Sequence, residues 1–130
     1  MYNKVLKGGD KMDYSQTKIE YIKRSIKRCY LEAKRSDDIL FRDSEYKNAS
    51  NEIIAVSYLN KAISIMESCK AVYFSCIEEL ENSTVEHIFD KFEIYSHEVL
   101  NNFSIDHSHQ WSNIQFDEFK DSVEQLIDIN

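Results

Sequence analysis

The stretch SNEIIAVSYLNKAISIMESCKAVYFSCIEELE, residues 50–81, decides the fold. Val56, Leu59, Ile63, Met66, Tyr73, Ile77 and Leu80 fall on one stripe of an α-helix, and Ile54, Tyr58, Ala62, Ile65, Cys69, Val72 and Cys76 fall on a second. Two adjacent apolar stripes describe a helix covered over much of its circumference. Unbroken, and rising about 1.5 Å per residue, it would reach roughly 45 Å and serve as the central spine of the domain.

Upstream, Ile19, Ile22, Ile26, Cys29, Tyr30 and Ala33 recur at spacings of three and four, which predicts a first helix. Asp13 with Gln16 supplies a capping pair, so this helix is expected to start near Tyr14, with a connection within residues 42–49. Downstream, Ser83 with Glu86 matches the S-x-x-E capping box and precedes Val85, Ile88, Phe89, Phe92, Tyr95, Val99 and Phe103, a third helix. Ser112 with Gln115 repeats the pattern before Phe116, Phe119, Val123, Leu126 and Ile127, a fourth. Ser104 to Trp111 reads as a polar loop, with Trp111 stapled onto the fourth helix. The expected fold is therefore all-α, an antiparallel four-helix bundle with a long central second helix.

Composition excludes most alternatives. The chain has 130 residues, no proline and two glycines, which removes the material for tight hairpins, dinucleotide fingerprints and phosphate-cradling loops. Three cysteines without metal-ligand spacing fit neither a disulfide framework nor a zinc finger. No apolar run approaches the roughly 18 residues of a membrane span, and Met1 to Lys11 lacks the apolar core of a secretory signal, so a cytoplasmic protein is expected. Both glycines lie in Lys7-Gly8-Gly9-Asp10-Lys11-Met12, which a purine-rich, ribosome-binding-like stretch can encode. Residues 1–12 are accordingly read as a disordered or non-native extension, Met12 as the native start, and 13–130 as a single helical domain. Abundant Ile, Lys, Asn, Tyr and Phe point to an A+T-rich bacterial or phage genome.

Charge is the most informative feature. Residues 15–35 hold seven basic and two acidic side chains, whereas everything from Ser36 onward holds six basic and nineteen acidic, within a net charge of −7. A charged outer face is the ordinary condition of a bundle helix, but segregation on this scale also gives a basic ridge and a broad anionic surface. The ridge, Lys23, Arg24, Lys27 and Arg28 beside Tyr14 and Tyr21, has the residue types that contact nucleic acid, yet the overall negative charge opposes a polyanion. The anionic surface is densest around Glu78, Glu79, Glu86, Asp90 and Glu93, and would steer a basic protein.

Groups that might carry chemistry are sparse. Asp106, His107 and His109, with His97 upstream, offer imidazole and carboxylate donors, but no second helix supplies the Glu-x-x-His that would complete a ligand set. No metal or cofactor is assigned. None of Arg24, Arg28, Arg35 and Arg42 is followed by a histidine after four to six residues, the spacing that one class of small all-α ribonucleases needs, so no such resemblance is claimed. Cys69 and Cys76, seven apart on one helix, lie about 10 Å from each other and cannot pair, while Cys29 beside Arg28 would have its thiolate favoured. The expected function is a non-enzymatic acidic module that binds a basic protein, of the immunity, antitoxin or mobile-element inhibitor type. The alternatives are a small metal-dependent or RNA-processing enzyme built on His97, His107 and His109 beside the basic ridge, and a homodimer through residual apolar surface on the second or fourth helix.

Overall fold

A computed structural model describes residues 7–41, 49–104 and 110–129, with side chains over 16–40, 50–103 and 112–129. Among the described residues the chain is all-α, with no strand. The helices are α1 (Lys7–Phe41), α2 (Ala49–Ser75), the single turn α3 (Ile77–Leu80), α4 (Ser83–Ser104) and α5 (Gln110–Glu124). None of these is long and apolar enough to cross a membrane.

The helices pack where the apolar spacing alternates between three and four. On α1 the buried line is Ile22, Ile26, Cys29, Ala33 and Ser36; on α2 it is Ala55, Leu59, Ala62, Met66, Cys69 and Tyr73. This is the spacing of a coiled-coil seam, and its alanines and cysteines let the two axes approach closely. Successive contacts climb α1 as they run back through α3 and down α2. Lys18 pairs with Glu79 at 2.7 Å, the Cys69 thiol lies 3.9 Å from the Ile22 carbonyl, Lys61 is 3.8 Å from Glu32, and Arg35 stacks over Tyr58. The α4–α5 pair runs the same way, through Lys91 to Glu118, Phe92 to Phe119, Tyr95 to Phe116 and Asn102 to Ser112.

Aromatic rings join the two pairs. Tyr30 of α1 stacks on Phe116 at 5.8 Å, and Tyr73 of α2 meets the edge of Phe89 of α4 at 5.3 Å. The backbone of α1 approaches α2, α3 and α5, and that of α2 approaches α1, α3 and α4.

Several local expectations change. The second helix is long but not continuous over residues 50–81: α2 stops at Ser75, and α1 is longer. There the Ser75 hydroxyl donates back to the Ala71 carbonyl at 2.7 Å, and the Cys76 amide is shared between the Val72 and Tyr73 carbonyls, both of which loosen the last turn. The break turns Leu80 back into the core. The first helix begins at Lys7, ahead of Tyr14, and includes both glycines. The α4 cap is Asn82, whose side-chain oxygen accepts from the amides of Thr84 and Val85, so the Ser83–Glu86 box does not form. Ser112 lies within α5 and is buried, accepting from the Asn102 side chain at 3.0 Å. The Trp111 side chain, the 42–48 connection and the Asp13 cap lie outside the described residues or side chains.

Glu86 is diverted by Tyr73. That fully buried ring sends its hydroxyl to the Glu86 carboxylate at 2.6 Å and accepts from the Asn82 amide at 2.8 Å, tying the end of α2 to the start of α4. Tyr95 is equally buried, but its hydroxyl makes no hydrogen bond of good geometry among the described residues. Tyr73→Phe is therefore expected to lower the unfolding free energy by about 2 kcal/mol, and Tyr95→Phe by less than about 1 kcal/mol. Urea denaturation of the two variants checks the contrast, and equal losses would remove the role given to the Tyr73 hydroxyl.

Candidate interaction surface

The five carboxylates expected to bind a partner do not form one equivalent set. Glu78 and Asp90 are exposed. Glu79 holds Lys18 of α1, and the same bond raises the Lys18 pKa. Glu86 is half-buried and committed to Tyr73. Glu93 is exposed and lies 4.0 Å from both Lys70 and His97, distances at which surface pairs contribute little. Two of the five are thus engaged by close partners within the fold, Glu86 in a part-buried bond and Glu79 in a surface pair, and three are not.

The anionic surface extends further than the α2–α4 junction. The segments α4 and α5 each carry four acidic residues and one basic. Asp117, Glu118, Asp121 and Glu124 are exposed along α5, where Lys91 of α4 pairs with Glu118 at 2.9 Å. Isoleucines interrupt this surface: Ile94 on α4 and Ile114 on α5 are both more than two-fifths exposed.

The basic ridge lies elsewhere. Arg24, Lys27 and Arg28 are exposed on α1, whereas Lys23 is half-buried beside a small apolar cavity lined by Ile22, Tyr73 and Leu80. Arg28 instead borders a shallow, solvent-open groove along the α1 edge of α2, together with Lys61, Ile53, Val56 and Ile65.

Of the histidine candidates, His97 is exposed on α4, with Glu93 its nearest charged neighbour. Asp106, His107 and His109 lie outside the described residues. Among the described residues no three His, Cys, Asp or Glu side chains are grouped as a metal would need.

Two features were not anticipated. Asp37 is fully buried next to Ser36 and the Tyr95 ring of α4. Burial, then the Asp37 charge, pushes the Tyr95 hydroxyl pKa well above its ordinary value. The only signal available was position, because Ser36 and Asp37 continue the three-and-four spacing of the α1 seam. Cys29 is also buried, and burial, followed by Cys69 and Glu32, pushes its thiol pKa up, opposite to the lowering expected from Arg28. The Arg28 side chain points to solvent one position away, too far round the helix to stabilise a thiolate.

Comparison with family models, curated proteins and solved structures returns no match, so the geometry of this surface carries the functional argument alone.

Two measurements test this account. With an aromatic disulfide reagent, half-buried Cys76 is expected to react first, while Cys29 and Cys69 react only on unfolding; rapid labelling of all three would contradict their burial. Burial and the Glu86 bond hold the Tyr73 pKa up at about 12. A pKa raised by folding stabilises below the unfolded value and loses that contribution as pH rises to the folded value. Wild-type stability should therefore fall, relative to Tyr73→Phe, between about pH 10 and 12. Parallel curves for the two proteins would refute the coupling.

Proposed function

We propose that the chain is an antiparallel four-helix bundle acting as a non-enzymatic, acidic protein-binding module whose target is a basic protein. The neighbour relations support the architecture: α1 lies against α2, α2 against α4, α4 against α5 and α5 against α1, with α3 a turn between the second and third long helices. The opposed order of contacts along α1 and α2, and along α4 and α5, supports alternating directions. The observation that carries the functional reading is the four-to-one excess of acid on both α4 and α5, most of it exposed and uninvolved in holding the fold.

Such a surface accelerates the approach of a cationic partner and fixes its orientation. The exposed isoleucines Ile94 and Ile114 provide the apolar contact that a purely electrostatic encounter lacks. A small module of this kind fits an immunity or antitoxin protein, or an inhibitor carried by a phage or mobile element, each of which neutralises a basic target by covering it.

Glu78→Lys, Asp90→Lys and Glu93→Lys, combined, avoid the two carboxylates that hold Lys18 and Tyr73. The triple variant is expected to keep the wild-type melting temperature to within a few degrees, since exposed substitutions change stability by about 0.5 kcal/mol or less each. It should lose capture of the basic protein that the wild type retains from its native host at low salt and releases at high salt. Capture that survives the triple reversal, or a wild type that retains no basic protein, would overturn the reading.

A further inference from the structure

The groove between α1 and α2 has the opposite character to the α4–α5 surface. Arg28 is exposed on its α1 side and has no ion-pair partner among the described residues. Across the groove the Lys61 side chain is exposed and shares Glu32 with Arg35, at 3.8 and 3.4 Å. Arg28, Lys61 and Arg35 thus stand around the single carboxylate of Glu32, with Glu52 further along beside Ile53. Ile53, Val56 and Ile65 also line the groove, and Ile53, 68% exposed, is the most exposed large hydrophobic side chain described.

A surface that fits this groove needs an apolar projection flanked by carboxylates, and the chain itself presents one. Ile94 stands out from α4 with Asp90 one turn before it, Glu98 one turn after it and Glu93 beside it. We propose that the α1–α2 groove receives the α4 face of a second copy, so that molecules associate head to tail. The second copy's Ile94 seats on Ile53, Val56 and Ile65, and its acidic residues face Arg28 and Lys61. The contact is heterologous: each molecule uses one face to receive and another to donate, so growth continues past the dimer unless a ring closes.

Two other occupants fit less well. An antiparallel two-fold pairing of α2 with its own copy would bring Arg28 and Lys61 of both molecules to the same side of the joint, with no carboxylate of α4 to meet them. Nucleic acid would neutralise the cations but leave Ile53 and Val56 uncovered. The inference rests on the acidic face used in the functional reading, but the receiving groove is independent of it. A basic partner that covers α4 would compete with self-association.

Sedimentation analysis up to about 1 mM protein tests the proposal, at a concentration suited to a small, weak interface. The wild type should show an average mass that rises with concentration without levelling at a dimer. Arg28→Glu with Lys61→Glu should sediment as a monomer, as should Asp90→Lys with Glu93→Lys, and mixing the two variants should restore association because each retains the face the other has lost. The Arg28/Lys61 variant should still capture the basic partner, which separates this inference from the functional reading. A wild type that stays monomeric, a groove variant that associates like the wild type, or a mixture that stays monomeric would each overturn the proposal. Binding of a single-stranded oligonucleotide by a monomeric wild type, lost in the groove variant, would overturn it in favour of nucleic acid.

Discussion

The seam between α1 and α2 is the constraint on which the rest of the structure depends. Cys29 and Ala33 on one helix and Ala55, Ala62 and Cys69 on the other are small enough for the axes to come close, and all are fully buried. Once that line is sealed, the orientation of α1 is fixed. Its seven cations within residues 15–35 cannot enter an alanine-lined joint, so they are distributed along its outer face and edges. The larger side chains Ile26, Leu59, Met66 and Tyr73 fill the space beneath the seam and provide the surface on which α4 and α5 close. Close packing makes each of these positions sensitive to volume, and an enlarged residue at Ala33 or Ala62 would force the axes apart along their whole length.

The helical character of the chain was legible because it rests on spacing, which is a property of the sequence alone. The four long helices, the all-α class and nearly all of the buried residues follow from intervals of three and four. The ends of the helices were not legible to the same degree, because they are decided by bonds between residues that the local pattern does not connect. Ser83 and Glu86 form a plausible cap by sequence, yet Tyr73, ten positions before Ser83, takes the Glu86 carboxylate and leaves the cap to Asn82. Cys76 similarly looks like one more apolar residue in a continuous stripe. Only the backward bond of Ser75 and the shared amide of Cys76 show why the helix stops there.

The candidate surface was legible as a sum and not as a list. Counting charges is enough to find an acidic region and a basic helix, since no fold can change the total. Which carboxylates remain available depends on distant partners: Glu79 is held by Lys18, 61 positions away in the chain. Asp37 makes the same point from the other side. A carboxylate next to a seam position breaks an apolar stripe when read locally, and burial beside Tyr95 becomes apparent only when α4 is in place.

The arrangement of the helices gives the charge segregation a physical consequence. The backbones of α1 and α4 do not approach each other among the described residues, and α2, which separates them on one side, carries as many basic as acidic residues. The cations of α1 are thus kept from neutralising the acids of α4 within the molecule, apart from the tether of Lys18 to Glu79 at the α3 turn. Charges that a fold keeps apart are left with the solvent or another molecule as their partners. Across a protein diameter of more than a Debye length, about 8 Å at physiological salt, the two faces act almost independently. Each can then attract a partner of opposite sign at close range although the net charge is −7. The neutral character of α2 is therefore more than a by-product of its burial, because it is the spacer that lets one small domain carry two surfaces of opposite sign.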